Sequence, residues 1–147
     1  MIEALITIFN RDLNKLKSEI ELYDNENDIW KVQKGITNSA GNLCLHLVGN
    51  LNSYIGNVFL KTDYVRNREL EFSLKDIPKS ELIEKIEQTI KVVNDSLNMV
   101  SEEELKTDFP LLVLKEKMST EFMLIHFTTH LAYHLGQINY HRRLLNT

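Results

Sequence analysis

The stretch His126-Phe-Thr-Thr-His130-Leu-Ala-Tyr-His134-Leu-Gly136-Gln137-Ile138 carries three histidines at four-residue intervals. A helix turns about 100° per residue, so a step of four rotates a side chain by roughly 40° and lifts it about 6 Å. On a wheel with His126 at 0°, His130, His134, Gln137 and His141 fall between about 20° and 80°. Leu124, Phe127, Leu131, Leu135, Ile138 and Leu145 fall between about 100° and 180°. The histidine stripe therefore borders the apolar stripe, as one wall of a cleft inside or beside a helical bundle. Neighbouring members of the series can close on one metal ion, whereas His126 and His134, roughly 12 Å apart along the axis, cannot share one. Spacing alone does not choose between His126/His130 and His130/His134.

Two ligands make a poor site, so a third is needed from another element. The one histidine outside this region is His46, set in the apolar run Leu43-Cys44-Leu45-His46-Leu47-Val48. A buried imidazole there needs a partner or an ion. Cys44, two residues earlier and about 200° around a helix, points away toward the core. Asn50, one turn after His46, shares its face and can support a ligand or a substrate. His141 lies about 10 Å beyond His134, which makes it a supporting or surface residue.

The rest of the chain reads as helices to match. Ile2, Leu5, Ile6, Phe9, Leu13, Leu16 and Ile20 have three-and-four spacing over residues 2–22. After the polar break at Asp24–Asp28, Thr37-Asn38-Ser39 offers N-caps for a helix from about Ser39 to Leu60. Gly49 and Gly56 lie seven apart on that helix and cost it propensity, so something must approach their face closely, most simply another helix. A polar connector, Lys61–Ile77, precedes Pro78, which suits the start of a third helix running to about Met99. Phe109-Pro110 breaks the pattern, Leu111–Leu114 reads as extended, and Ser119 caps the last helix. With five glycines and two prolines in 147 residues, the expectation is a single domain over residues 1–147: an all-α, antiparallel four-helix bundle.

Charge and cysteine content narrow the class of function. A formal net charge of −4 disfavours nucleic-acid binding, which rests on neutralising phosphates. One cysteine excludes an internal disulfide, no secretory signal is evident and no apolar stretch approaches a membrane span, so the reading is soluble and cytoplasmic. The zinc-protease pattern needs glutamate after the first histidine, and Phe127 and Leu131 stand there instead. No serine–histidine–acid set or phosphate-cradling glycine loop is present. The flanks of the ligands are apolar, with no carboxylate general base beside them. Arg66, Arg68 and Glu69 form a small charged group best read as an ion pair anchoring the connector; whether it reaches the cleft stays open.

These motifs resemble the DinB/YfiT-like superfamily of metal-dependent proteins, and within it the branch designated DUF1572. The resemblance rests on His130-Leu-Ala-Tyr-His134-Leu-Gly136-Gln137, on His46-Leu-Val-Gly49-Asn50-Leu51-Asn52, and on Tyr64-Val-Arg66-Asn-Arg68-Glu69-Leu-Glu71-Phe72. Trp30 and Asn38-Ser39 stand in register upstream, so the likeness spans nearly the whole chain. It implies up-down-down-up connectivity, a homodimer, and a divalent metal, zinc or nickel, held by His46, His130 and His134. Asn50, His126 and Gln137 become supporting neighbours, and no catalytic residue is assigned. Characterised relatives include thiol-dependent S-transferases, so the resemblance implies an open three-histidine enzyme with a small-molecule substrate and a low-molecular-weight thiol. The alternatives are a non-catalytic metal-binding stress-response or dimeric bundle protein, and a metal-dependent hydrolase.

Overall fold

The computed structural model describes residues 1–145; the last two positions of the expected domain lie outside the described residues. It is all-helical, with no strand among the described residues. Helix α1 spans Ile2–Glu21 and buries Leu5, Phe9, Leu13, Leu16 and Ile20, the stripe expected from their spacing. Helix α2 spans Ala40–Leu51, and Ser39 caps it by accepting a hydrogen bond from the Asn42 amide at 3.1 Å. Helix α4, Lys79–Leu97, starts directly after Pro78, and α5, Thr120–Leu145, starts where the Ser119 hydroxyl accepts from the Phe122 amide at 3.1 Å.

Three features depart from the expected pattern. First, α2 does not stay regular to Leu60. From Asn52 to Leu60 its turns widen into a π-helix that ends at Lys61 in the left-handed region, φ 57°. The Asn52 side chain donates to the Val48 carbonyl at 2.8 Å, competing for the acceptor that the backbone ladder uses at that turn. Second, the polar connector contains a short helix, α3, Arg68–Ser73, capped by the Asn67 side chain. Third, Leu111–Leu114 is irregular. The pairing in that region is instead a clasp, in which Phe109 N donates to Met118 O and Thr120 N donates to Thr107 O, both at 2.8 Å.

Packing fixes how the helices face one another. Helices α1 and α4 run antiparallel: Asn10 meets Asn94 near one end and Lys17 meets Glu87 near the other. Helices α2 and α5 also run antiparallel, since His46 lies beside His130 and His134 while Tyr54, two turns on, stacks against Phe127. The core is built where α1, α2, α4 and α5 bring together residues such as Phe9, Leu16, Leu47, Ile86 and Phe127, all essentially inaccessible to solvent. Each such side chain contributes about 1.5–3 kcal/mol by burial. Cys44 belongs to this core, as its position predicted, and burial pushes its thiol up to about 12, so it is inert at neutral pH.

The two helical glycines serve different visitors. At Gly56 an added Cβ would lie 2.7 Å from Val92 Cγ1 of α4, so here a helix makes the close approach. At Gly49 it would lie 1.8 Å from Oε2 of Glu71, a carboxylate carried by α3. The expectation of a neighbouring helix holds at both glycines, with α4 bringing an apolar side chain to Gly56 and the short α3 a carboxylate to Gly49.

Candidate metal centre

His46, His130 and His134 come together, each offering one ring nitrogen, with the three nitrogens within 4.8 Å of one another. The antiparallel pairing of α2 and α5 explains how: the single imidazole of α2 projects between two that are one turn apart on α5. The His46 ring packs on Phe72 with centroids 4.9 Å apart, and lies edge-on to His130 and His134 at 5.0 and 5.3 Å.

Hydrogen bonds around the cluster assign the protons. His46 Nδ1 lies 3.1 Å from Glu71 Oε1, and a carboxylate accepts, so Nδ1 carries a proton there and Nε2 is the nitrogen left to face the cluster. His134 Nδ1 lies 2.7 Å from Gln137 Oε1, which places its proton there and frees its Nε2 in the same way. His46 Nε2 and His130 Nε2 face each other at 3.1 Å. Two nitrogens bound to one tetrahedral ion at 2.0–2.1 Å stand about 3.3 Å apart, so this spacing fits a shared cation. Carboxylate and amide partners behind the ligands are the arrangement that holds metal-binding imidazoles in one tautomer and orientation.

Charge in the cluster is arranged for neutral imidazoles. Burial, and then the neighbouring His134, His46, His126 and Arg66, push the His130 imidazolium down to about 4. Burial lowers His134 too, with the Gln137 hydrogen bond opposing it. Burial alone would raise the Glu71 carboxyl, but hydrogen bonds from His46 and Arg66 and the Arg66 charge together hold it below the ordinary carboxylate range. Arg66 grips that carboxylate with two bonds, Nε to Oε2 at 2.9 Å and Nη2 to Oε1 at 3.0 Å.

Several candidates settle into distinct places. Arg66 anchors the connector by an ion pair as expected, and through Glu71 it reaches the back of the cluster; Arg68 instead lies over the Phe72 ring and Glu69 is exposed. Gln137 contacts His134 directly. His126 lies outside the three, its ring 6.5 Å from that of His130 and stacked on Phe122. Asn50 is buried on the cluster's helix, and its Oδ1 has no hydrogen-bond partner among the described residues. His141 is corrected: it neither reaches the cluster nor sits at the surface. It is 5% exposed, with Nε2 donating to the Lys31 carbonyl at 2.8 Å and Nδ1 accepting from the Tyr23 hydroxyl at 2.6 Å.

Glu71 is the supporting residue that sequence reasoning missed: the expectation was of no carboxylate general base beside the ligands, and a carboxylate does stand against His46, bonded to its Nδ1 and to Arg66. It lies behind His46 rather than on the open side of the cluster. Gly49 was its trace in the sequence: a helical glycine three residues after His46, kept free for a carboxylate that arrives from 22 residues away.

The chain is thus an all-helical protein whose two facing helices gather three imidazoles in a cluster that can hold a metal ion. It belongs to the family described as "Protein of unknown function (DUF1572)", whose model matches residues 3–147. None of the curated proteins matches the chain. No helix among the described residues is long and apolar enough to cross a membrane.

Proposed function

We propose that the protein is a metal-dependent enzyme whose cation, zinc or nickel, is held by His46, His130 and His134. The observation that carries this reading is the convergence of three ring nitrogens within 4.8 Å, two of them backed by Glu71 and Gln137. A cation held by three neutral ligands keeps its full charge and an open position, so it would lower the pKa of a coordinated thiol or water. The protein's own residues then have defined work. Glu71 fixes the His46 tautomer and balances charge, Arg66 pins Glu71, and Gln137 orients His134. Glu71 already accepts three hydrogen bonds from His46 and Arg66 and stands behind a ligand, so it is not placed to take a proton from a bound substrate. That favours thiol transfer to a small electrophile over hydrolysis, because a coordinated thiol needs no separate base.

The same reading extends to the fold. The antiparallel α1/α4 and α2/α5 pairings support an up-down-down-up four-helix bundle of the DinB/YfiT-like kind; one domain over residues 1–147, a cytoplasmic location and a homodimer belong to the same proposal and rest on the family resemblance and the sequence. The test begins with metal content. Wild type is expected to bind one equivalent of zinc or nickel, and His46→Ala and His130→Ala to bind none while remaining folded. Chelator is expected to strip the ion without unfolding the chain, which separates an enzyme from a bundle stapled by its metal. Metal-dependent adduct formation between a low-molecular-weight thiol and a chlorinated aromatic electrophile then tests the transferase. Hydrolysis of an ester panel without thiol would favour the hydrolase instead.

A further inference from the structure

A cavity of about 310 Å³ opens against the cluster on its His134 side. One wall is α5, through His134, Gln137, Tyr140 and Leu144; the other is the turn that precedes α2, through Ile36, Thr37 and Asn38, with Leu43 at its base. The turn is held by a Gln33–Ile36 backbone hydrogen bond of 2.8 Å and passes through Gly35 at φ 89°. It is therefore a shaped wall, not a loose strand of chain.

The composition of those walls is informative. Ile36, Leu43 and Leu144 supply apolar surface, and Thr37, Asn38 and Gln137 supply neutral hydrogen-bonding groups. No lysine, arginine, aspartate or glutamate contributes to it. His141 touches the cavity, but both its nitrogens are taken by Tyr23 and the Lys31 carbonyl, so it offers neither a charge nor a free donor. In the metal-free protein an anion placed here would find no countercharge in the walls, and any part of it screened from water would lose hydration without compensation. An apolar molecule would lose nothing. For scale, a cavity of about 150 Å³ accommodates benzene, so this one has room for a substituted ring or a fused pair.

We infer that this cavity is the binding site for an uncharged, mainly apolar small molecule, an aromatic one by size, seated with one end at His134. The inference rests on the metal reading for what happens at that end, but not for binding itself. If the molecule is the electrophile of the proposed transfer, the thiol must approach the cluster from another side, since this one is filled.

The test uses an uncharged probe, 4-nitrobenzyl alcohol, beside its anionic counterpart, 4-nitrobenzoate, each titrated into zinc-loaded and metal-free protein with ligand-observed NMR. The alcohol is expected to bind both forms, and in the metal-free protein, where no cation offers the carboxylate a countercharge, the benzoate is expected to bind at least ten-fold more weakly. Leu144→Glu, at a position 65% exposed and so safe for folding, is expected to weaken the alcohol ten-fold or more with zinc content unchanged. Thr37→Trp, which fills the space from the opposite wall, is expected to do the same. Cobalt(II) in place of zinc is expected to broaden the bound alcohol's signals, reporting that the probe lies next to the cluster. Equal binding of benzoate and alcohol to the metal-free protein, binding unaffected by both variants, or no broadening with cobalt bound would each overturn the inference. If no cobalt or zinc binds at all, the metal reading fails, and the cavity is judged by the alcohol's selectivity and the two variants alone.

Discussion

Helix α5 carries two kinds of histidine, and the contrast between them teaches what spacing cannot. His141 and His134 are seven residues apart on one helix, the first buried and the second half-buried. At His141 the protein satisfies both ring nitrogens, with a tyrosine hydroxyl on one side and a backbone carbonyl on the other. At the cluster, His46 and His134 each have their Nδ1 satisfied, by Glu71 and Gln137, while His46 Nε2 faces His130 Nε2 at 3.1 Å and the buried His130 Nδ1 has no partner among the described residues. A histidine with both nitrogens matched is part of the scaffold; a group of histidines whose free nitrogens face one another is a place for a cation. The number of histidines on a face does not separate the two cases, but the partner of the second nitrogen does.

The sharpest way to break this contrast is to remove one residue of each kind. His130→Ala should lower metal affinity by more than 100-fold, since two ligands remain, and leave thermal unfolding of the metal-free protein nearly unchanged. His141→Ala should do the opposite: metal content stays stoichiometric, while stability falls by about 2 kcal/mol because the Tyr23 hydroxyl and Lys31 carbonyl lose their partner in a buried setting. Metal analysis and denaturant titration of the two variants side by side decide it. Loss of metal in His141→Ala with a native fold would erase the distinction.

Support behind the ligands comes next in size. Glu71→Gln removes the charge that fixes the His46 tautomer, and metal affinity should drop by about 10–100-fold. Gly49→Ala should give a similar loss without touching either residue's chemistry, because its Cβ would meet the Glu71 carboxylate at 1.8 Å and displace it. Competition against a zinc indicator measures both. If Gly49→Ala binds zinc as wild type does, Glu71 is not the group that positions His46.

Acid should separate the regions as well. Imidazole must be neutral to bind a metal, and His130 is pushed down to about 4 while His134 is also lowered. Protons therefore compete for His130 and His134 only below the ordinary histidine range near 6.5, and zinc should be released as pH approaches 4. Equilibrium dialysis across that range provides the readout; occupancy that does not change down to pH 3 would exclude imidazole ligation.

The smallest effect belongs to the scaffold side, where Glu19 of α1 is fully buried against Arg142 of α5, Nε to Oε2 at 2.6 Å. Burial would raise its carboxyl, but bonds from Arg142 and Asn139 and the charges of Arg142 and Lys15 hold it lower than usual. Since the folded value lies below the unfolded one, the carboxylate stabilises the fold above the ordinary glutamate value of about 4.3. That contribution is lost as pH falls through the lowered folded value. The stability gap between wild type and Glu19→Gln should thus be present at pH 7 and shrink toward pH 3. A gap that widens in acid would reverse the sign.

Much of this was legible in the chain because it was local. The apolar stripe of α1, Ser39 and Ser119 as caps, and the four-residue histidine steps all follow from helical geometry within a few residues. The choice of His130/His134 over His126/His130 was not local: it depends on the height at which His46 crosses α5, and residue spacing is silent on that, whereas the family resemblance pointed to it. Glu71 was hidden for the same reason, since its contact with His46 spans 25 residues and passes through a connector that reads as polar. The widened turns after Leu51 left no periodic sign, because one side-chain hydrogen bond from Asn52 competes with the ladder there.

The most direct test is X-ray absorption at the zinc edge of the zinc-loaded protein, with His130→Ala as its companion. The account predicts one ion per chain with three nitrogen neighbours at 2.0–2.1 Å, multiple-scattering features of imidazole, and one lighter exchangeable ligand. An ion with fewer than three imidazoles, or one whose environment is the same in His130→Ala, would contradict it.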